Sequence, residues 1–357
     1  MKAIGIFRGF PGLGRVVAGV EILNHLKKSI GLEVKAISYL QGIEFGKYNK
    51  ISVETINHIN DVSSIGIIPV SVSGEMIIDE IDKFNPNFII IDGEPLMLTT
   101  IKLRFPKLKV IALLNPYDLE NPHNKLSSQL FFKDCYSKAD IAIVHGLWKI
   151  KKPANFVNSF YSVNTFVRFQ INDIKITNTS NRIVCILGGG TVNTNQLFFE
   201  NTIAIAEKTL LLAHNNPNYV FEIFCGCSVV YKSIFQKAKQ NNNVKIFKEV
   251  SPPEIIYNSA KAVISRAGRN TISELLVLKI PAFLFATNCG IRGSEQSANI
   301  ASAQNFSNKI VCFNVKDEQL NINNAFSNLL SINGKGTNWS SGNEDILNIL
   351  RNEVLCI

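Results

Sequence analysis

Between Ala262 and Leu278 the chain passes from a β-branched apolar run, Ala262 to Ile264, through Gly268 into a helical pattern carried by Ile272, Leu275, Leu276 and Leu278. A strand that breaks at a glycine and restarts as a helix leaves main-chain N–H groups free where the helix dipole is positive, a place suited to a diphosphate. Asn270, Thr271 and Ser273 are expected to cap that helix and to offer exposed donors. Glu274, about one turn in, is expected to reach a ribose diol, and Arg266 supplies a cation beside the turn. The next buried strand, Ala282–Phe285, leads through a polar loop to Glu295, Gln296 and Asn299, side chains suited to sugar hydroxyls. A second glycine run, Gly188-Gly189-Gly190-Thr191, closes the strand Ile183–Leu187; it lets main chain approach a ligand closely and adds a hydroxyl. The chemistry these residues point to is nucleotide-sugar binding.

The first half carries different chemistry. Asp92-Gly93-Glu94-Pro95 follows the apolar strand Phe88–Ile91, so two carboxylates stand at a strand's carboxyl end, where open α/β sheets bind ligands. Either could take the proton of an acceptor hydroxyl, Asp92 ahead of Glu94; both could instead cap the helix starting near Leu96. The first loop, Arg8 to Arg15, holds Gly12 and Gly14 but lacks the third glycine and the acidic partner of a dinucleotide site. His145 follows the strand Ile141–Val144, and His123 lies in a polar loop that could line an acceptor. A lone histidine of this kind is more often structural than catalytic.

The run Arg266 to Asn299 resembles the donor-binding half of family 28 glycosyltransferases, in which a Ser/Arg-x-Gly-x-x-Thr-x-x-Glu turn precedes a Pro-containing strand and an acidic/Gln-Gln-x-x-Asn loop. Gly268, Thr271, Glu274, Gln296 and Asn299 match, and Glu295 stands where the family often has a glutamine. The resemblance implies the GT-B arrangement, an α/β fold of two doubly wound Rossmann-like domains facing a cleft. It implies a donor site at Gly188 to Thr191, Arg266, Gly268, Asn270 and Thr271, with the main chain around Val250 cradling a uracil. It also places Arg15 where the family has a histidine proposed as catalytic base. Arginine is no base at neutral pH but holds phosphates well. The Asp-x-Glu-Pro sequence at Asp92 is similar to one in archaeal and bacterial relatives.

Composition sets the frame for these sites. A chain of 357 residues with 46% hydrophobic and 18% charged side chains is globular and large enough for more than one core. Strand-like runs alternate with helical ones in both halves, the pattern of parallel sheets covered on both faces. We expect an N-terminal domain over 1–168, a linker over 169–180, a C-terminal domain over 181–340 and a final helix in 341–357 that packs back on the first domain. Further strands are expected at Ile65–Pro69, and Asn-rich stretches such as Asn321–Asn324 read as loops. Seven cysteines, mostly inside apolar runs, read as free thiols of a reducing compartment, and no metal set is assigned. The formal charge of +9 comes from scattered residues without a nucleic-acid motif, so no nucleic-acid partner is expected; acidic ligands or an anionic membrane surface fit it.

The function expected is metal-independent, inverting transfer of a hexose or N-acetylhexosamine from a UDP-sugar to a hydroxyl of a lipid-linked or small-molecule acceptor. The donor is substrate, and no cofactor is expected. The location expected is cytoplasmic, with peripheral attachment to the membrane's inner face. The alternatives are a nucleotide-sugar hydrolase or epimerase, and a non-catalytic partner subunit that binds a nucleotide sugar.

Overall fold

The computed structural model describes residues 1–9, 13–39, 42, 53–55, 74–122, 124–176, 180–188, 196–248, 251–287, 290–331 and 338–354. The chain divides into two compact units, one of Met1–Phe166 with Gly342–Ile357 and one of Val167–Ser341.

The first unit runs β1 (Lys2–Phe7), α1 (Gly14–Ile30), β2 (Glu33–Ser38), β3 (Val53–Thr55), α2 (Gly74–Phe84), β4 (Phe88–Asp92), α3 (Pro95–Arg104), β5 (Lys109–Leu114), α4 (Pro116–Leu119), α5 (Leu126–Tyr136), β6 (Ile141–Gly146) and β7 (Ser159–Asn164). Its seven strands pair in the order β3-β2-β1-β4-β5-β6-β7, every pair parallel. Successive strand residues point to opposite faces, and here each face has its own core. Ala3, Phe7, Phe88, Ile90, Ile111 and Leu113 pack on one side with α1. Ile4, Ile6, Ile89, Ile91, Val110 and Ala112 pack on the other with α2 and α3. That double burial is why these strands read as continuous apolar runs. The last helix, α12 (Asn343–Val354), belongs to this unit and adds Ile346, Leu347 and Leu350 to the α1-side core.

The second unit runs β8 (Arg182–Ile186), α6 (Gln196–Asn215), β9 (Val220–Phe224), α7 (Ser228–Ala238), β10 (Val244–Phe247), α8 (Pro253–Tyr257), β11 (Ala260–Arg266), α9 (Arg269–Leu278), β12 (Ala282–Ala286), α10 (Gly290–Gln304), β13 (Ile310–Asn314) and α11 (Gln319–Ser331). Its six parallel strands pair in the order β10-β9-β8-β11-β12-β13. The doubly wound α/β class is therefore met in both units.

Strand order reverses once in each sheet, between β1 and β4 in the first and between β8 and β11 in the second. At such a point neighbouring connections leave toward opposite faces, and the carboxyl ends of the two strands border a crevice.

Several expectations are corrected. Asn321–Asn324 is not a loop: it lies inside α11, because Ile322, Phe326 and Leu329 recur on one buried face, and that packing outweighs the poor helix propensity of asparagine. Strand β7, half-buried with the pattern SFYSVN, was not expected. The expected linker, 169–180, is held near its middle. Lys175 N–H donates to Asn258 Oδ1 at 2.7 Å, and Ser259 N–H donates to the Lys175 carbonyl at 2.7 Å. The strand expected at Ile65–Pro69 lies outside the described residues.

Candidate active site

At the first reversal β1 ends in Phe7 and β4 in Asp92, and Arg8 N–H donates to the Asp92 carbonyl at 3.0 Å, holding the two ends together. Gly93 then turns at φ +86. A Cβ there would lie 2.6 Å from Arg15 Cδ and 2.9 Å from Arg8 Cβ, so the glycine is what lets two arginines close over two acids. Arg15, in the first turn of α1, donates to Asp92 Oδ1 and grips Asp118 with both terminal nitrogens, at 2.6 and 3.1 Å. Arg8 Nε donates to Glu94 Oε1 at 3.3 Å, and Tyr39 Oη donates to the same oxygen. Asp92 and Glu94 are each 1% exposed.

Asp118 comes from α4, a short helix that the sequence builds with a capping box: Asn115 Oδ1 accepts from Tyr117 N–H and Asp118 Oδ2 from Asn115 N–H. Burial pushes the Asp118 carboxyl up, but the charge and hydrogen bonds of Arg15 outweigh it and leave the carboxyl below its ordinary value. Burial opposes the charge on Arg15, yet Asp118 and Asp92 raise its pKa well above the usual one. Burial and the Glu94 charge push the Tyr39 phenol well up, and burial with Asp118 does the same for Tyr136, so both remain neutral.

Neither acid is used up in capping. Glu94 occupies the N-cap position of α3 without a side-chain cap hydrogen bond. The other candidates here fare differently. Two carboxylates already engage the Arg15 guanidinium, which disfavours the phosphate contact expected of it. His145 is fully buried near the end of β6, and its Nδ1 accepts from Phe166 N–H at 3.4 Å. Gly14 opens α1, while Gly12 and His123 lie outside the described residues.

The second reversal repeats the device. Beyond β8, Gly188 takes φ +72, and a Cβ there would lie 2.3 Å from Arg266 Nη2. Arg266, the last residue of β11, crosses this bare main chain and stacks its guanidinium 4.2 Å from the Phe198 ring centroid. The helix α9 follows at once. Gly268 is its N-cap, exposed, and a Cβ there would meet no atom within 4 Å. Its φ of −75 and ψ of 136 are open to any residue. What it provides is open space beside a helix N-terminus. Asn270 and Thr271 are half-buried there, and α9 begins earlier than expected, at Arg269, so neither they nor Ser273 hold the N-cap position.

Glu274 also departs from expectation. It is 0% exposed, accepts from Arg168 Nε at 2.5 Å and from Arg168 Nη2 at 2.7 Å, and takes the Tyr257 hydroxyl at 2.6 Å. A ribose would have to displace Arg168 to reach it. Gln296 and Asn299 are likewise buried. Gln296 Oε1 accepts from the Thr287 N–H and hydroxyl, both at 2.8 Å, and Asn299 Nδ2 donates to the Ala267 carbonyl at 3.3 Å. They hold the strand ends of β11 and β12, whereas Glu295 is half-buried in the first turns of α10. Gly189, Gly190, Thr191 and Val250 lie outside the described residues.

The residues missed by sequence reasoning are Arg8, Tyr39, Asp118, Arg168 and Phe198. Only Asp118 had a readable signal, the capping-box spacing Asn115-Pro116-Tyr117-Asp118 directly after a strand.

Comparisons with known proteins agree with the fold. Residues 183–344 match the glycosyltransferase family 28 C-terminal domain. Among solved structures the chain is similar to MurG of Acinetobacter baumannii, at 12% identity over 98% of this chain and 99% of that one, TM-score 0.59. It is similar to the spinosyn rhamnosyltransferase SpnG, at 12% identity over 100% and 96%, TM-score 0.62. The UDP-GlcNAc 2-epimerase of Neisseria meningitidis, bound to UDP-GlcNAc, is similar at 15% identity over 99% of each chain, TM-score 0.57. No curated protein sequence matches. The chain thus has a GT-B fold that resembles family 28 glycosyltransferases, with the domain match lying almost wholly in its second unit.

Proposed function

We propose that the chain is an inverting glycosyltransferase that moves a hexose or N-acetylhexosamine from a UDP-sugar to an acceptor hydroxyl. The observation that carries this is the second reversal, where Arg266 lies over Gly188 beside the open N-terminus of α9. Such a site gathers a cation, main-chain N–H groups and a helix dipole at one point. It stabilises the charge that develops on a departing diphosphate more than the charge of the intact donor. A guanidinium and main-chain donors do this without a metal ion, so product is expected to form in EDTA. Uridine rests on the family resemblance. Of the similar proteins, SpnG has been solved with thymidine diphosphate and with spinosyn aglycone.

The first unit supplies the acceptor side, with its acids at the β1–β4 reversal. The acceptor is lipid-linked or a small molecule. Among the described residues no helix is long and apolar enough to cross a membrane. Contact with an anionic membrane surface is supported by Leu126, Leu130 and Phe131, exposed on α5 alongside Lys125 and Lys133.

The test is mass spectrometry of products from a panel of nucleotide sugars and hydroxyl acceptors, with and without EDTA. A glycosylated acceptor of inverted configuration supports the proposal; a strict divalent-metal requirement contradicts its mechanism. The likeness to UDP-GlcNAc 2-epimerases favours a second reading, epimerisation or hydrolysis of the donor. UDP-N-acetylglucosamine incubated alone distinguishes it, by yielding an epimer or free sugar. Donor binding without any product would indicate a non-catalytic partner subunit.

A further inference from the structure

We infer that Glu94, through its buried Oε2, is the group that takes the acceptor proton, with Arg8 and Tyr39 as its positioning residues and Asp92 serving instead as a counter-charge to Arg15. The inference rests on the transferase reading above. Among the described residues the β1–β4 reversal gathers three carboxylates, Asp92, Glu94 and Asp118, against two guanidiniums, Arg8 and Arg15. The cluster therefore holds one carboxylate more than its cations neutralise. The surplus falls on Glu94. Asp118 has a two-point grip from Arg15, and Asp92 has a short contact to the same guanidinium. Glu94 has one N–H from Arg8, at 3.3 Å, and the Tyr39 hydroxyl, both on Oε1.

Glu94 Oε2 is buried and accepts no hydrogen bond, on a side chain 1% exposed; Asp92 Oδ2 shares that feature, and the longer cation contact of Glu94 is what separates the two acids. A buried carboxylate oxygen left without a donor is costly, and proteins keep few of them without a use. A substrate hydroxyl is the donor that fits: neutral, small and able to give a proton. The position agrees with that use. Glu94 stands at a strand-order reversal, its carboxylate is not spent on capping α3, and Arg8 and Tyr39 fix Oε1 so that Oε2 has a set direction.

In the step itself the acceptor oxygen forms a bond to the anomeric carbon of the donor, while the bond from that carbon to the diphosphate oxygen breaks and its electron pair leaves with UDP. The acceptor O–H proton passes to Glu94 Oε2, and the carboxylic acid later releases it to solvent.

The test uses the full chain, with UDP-N-acetylglucosamine as donor and the best hydroxyl acceptor from the panel, and in parallel with sodium azide as acceptor. Azide carries no proton, so its transfer does not need a base. Glu94→Gln is expected to lose about 10²–10⁴-fold in kcat with the hydroxyl acceptor. It should keep the UDP affinity of the wild type in calorimetry and still form glycosyl azide. Tyr39→Phe and Asp92→Asn are expected to lose less kcat than Glu94→Gln, with KM for the donor unchanged. A wild type that transfers to the hydroxyl while Glu94→Gln does so within tenfold overturns this inference alone. So does a Glu94→Gln variant that loses hydroxyl and azide transfer in equal measure, since that marks a structural role. A wild type that makes no product from any donor overturns the transferase reading, and this inference with it.

Discussion

The buried pair Arg168–Glu274 allows a prediction with an asymmetry that only this geometry gives. Glu274 is 0% exposed and Arg168 is 15% exposed, and Tyr257 adds a third bond to the carboxylate. Arg168→Met removes the cation paired with a fully buried carboxylate and leaves the Tyr257 hydroxyl to donate to it. Breaking a buried pair in that way costs about 3–5 kcal/mol. Glu274→Gln takes away the carboxylate charge instead, and Arg168 can turn its partly exposed head toward water. The loss is then that of charged hydrogen bonds, about 1.5–3 kcal/mol. For a unit of this size each kcal/mol moves the melting point by about 2–4 °C, so Arg168→Met should lower it by roughly 6–20 °C. Scanning calorimetry of the full chain, following the transition that UDP raises, reads the difference. The Arg168→Met, Glu274→Gln double variant should be more stable than Arg168→Met alone, because the stranded charge is gone. An Arg168→Met protein that melts within about 2 °C of the wild type, or a Glu274→Gln protein that is the less stable single variant, would refute the reasoning.

Gly188→Ala places a side chain in left-handed backbone, a strain of about 1–2 kcal/mol, and pushes Arg266 aside; UDP affinity should fall by about tenfold or more in calorimetry while α9 is untouched. Acid should weaken the first unit through Asp118. Its carboxyl is depressed in the folded chain, so the stabilisation is present above the ordinary carboxyl value of about 4 and is lost as pH falls through the folded value. Asp118→Asn should lower stability at neutral pH and flatten that acid limb in urea titrations; a limb unchanged by the substitution would contradict the assignment. Lys125→Ala and Lys133→Ala should each weaken flotation with phosphatidylglycerol vesicles by about fivefold, the effect of roughly 1 kcal/mol per basic residue near an anionic surface. Binding that is insensitive to both would exclude α5 as the contact.

How far the sequence could be read depends on the range of the interactions involved. The doubly wound class was legible because strands such as Phe88–Asp92 are apolar without interruption and alternate with amphipathic segments such as Gly74–Phe84. The two glycine-bearing reversals were legible as motifs, since Gly93 and Gly188 mark local turns. What each polar side chain does there was not. Glu274, Gln296 and Asn299 were read as ligand contacts, but their partners Arg168, Thr287 and Ala267 come from other segments, and nothing local in the sequence announces such pairings. Arg168 falls at the very end of the expected N-terminal domain, 1–168, where nothing local marks it as a partner of Glu274. His145 stood at a strand end as a catalyst would, yet β6 lies two strands from the reversal, a fact of sheet order. Asn321–Asn324 shows the converse case, with a buried stripe overriding local preference.

The central claim is that the chain grips the diphosphate of a nucleotide sugar at the carboxyl ends of β8 and β11. Calorimetric titration with UDP, UMP and uridine tests it most directly. The geometry predicts that affinity falls in that order and that Arg266→Met abolishes most of the advantage of UDP over uridine. Absence of UDP binding, or uridine bound as tightly as UDP, would contradict it.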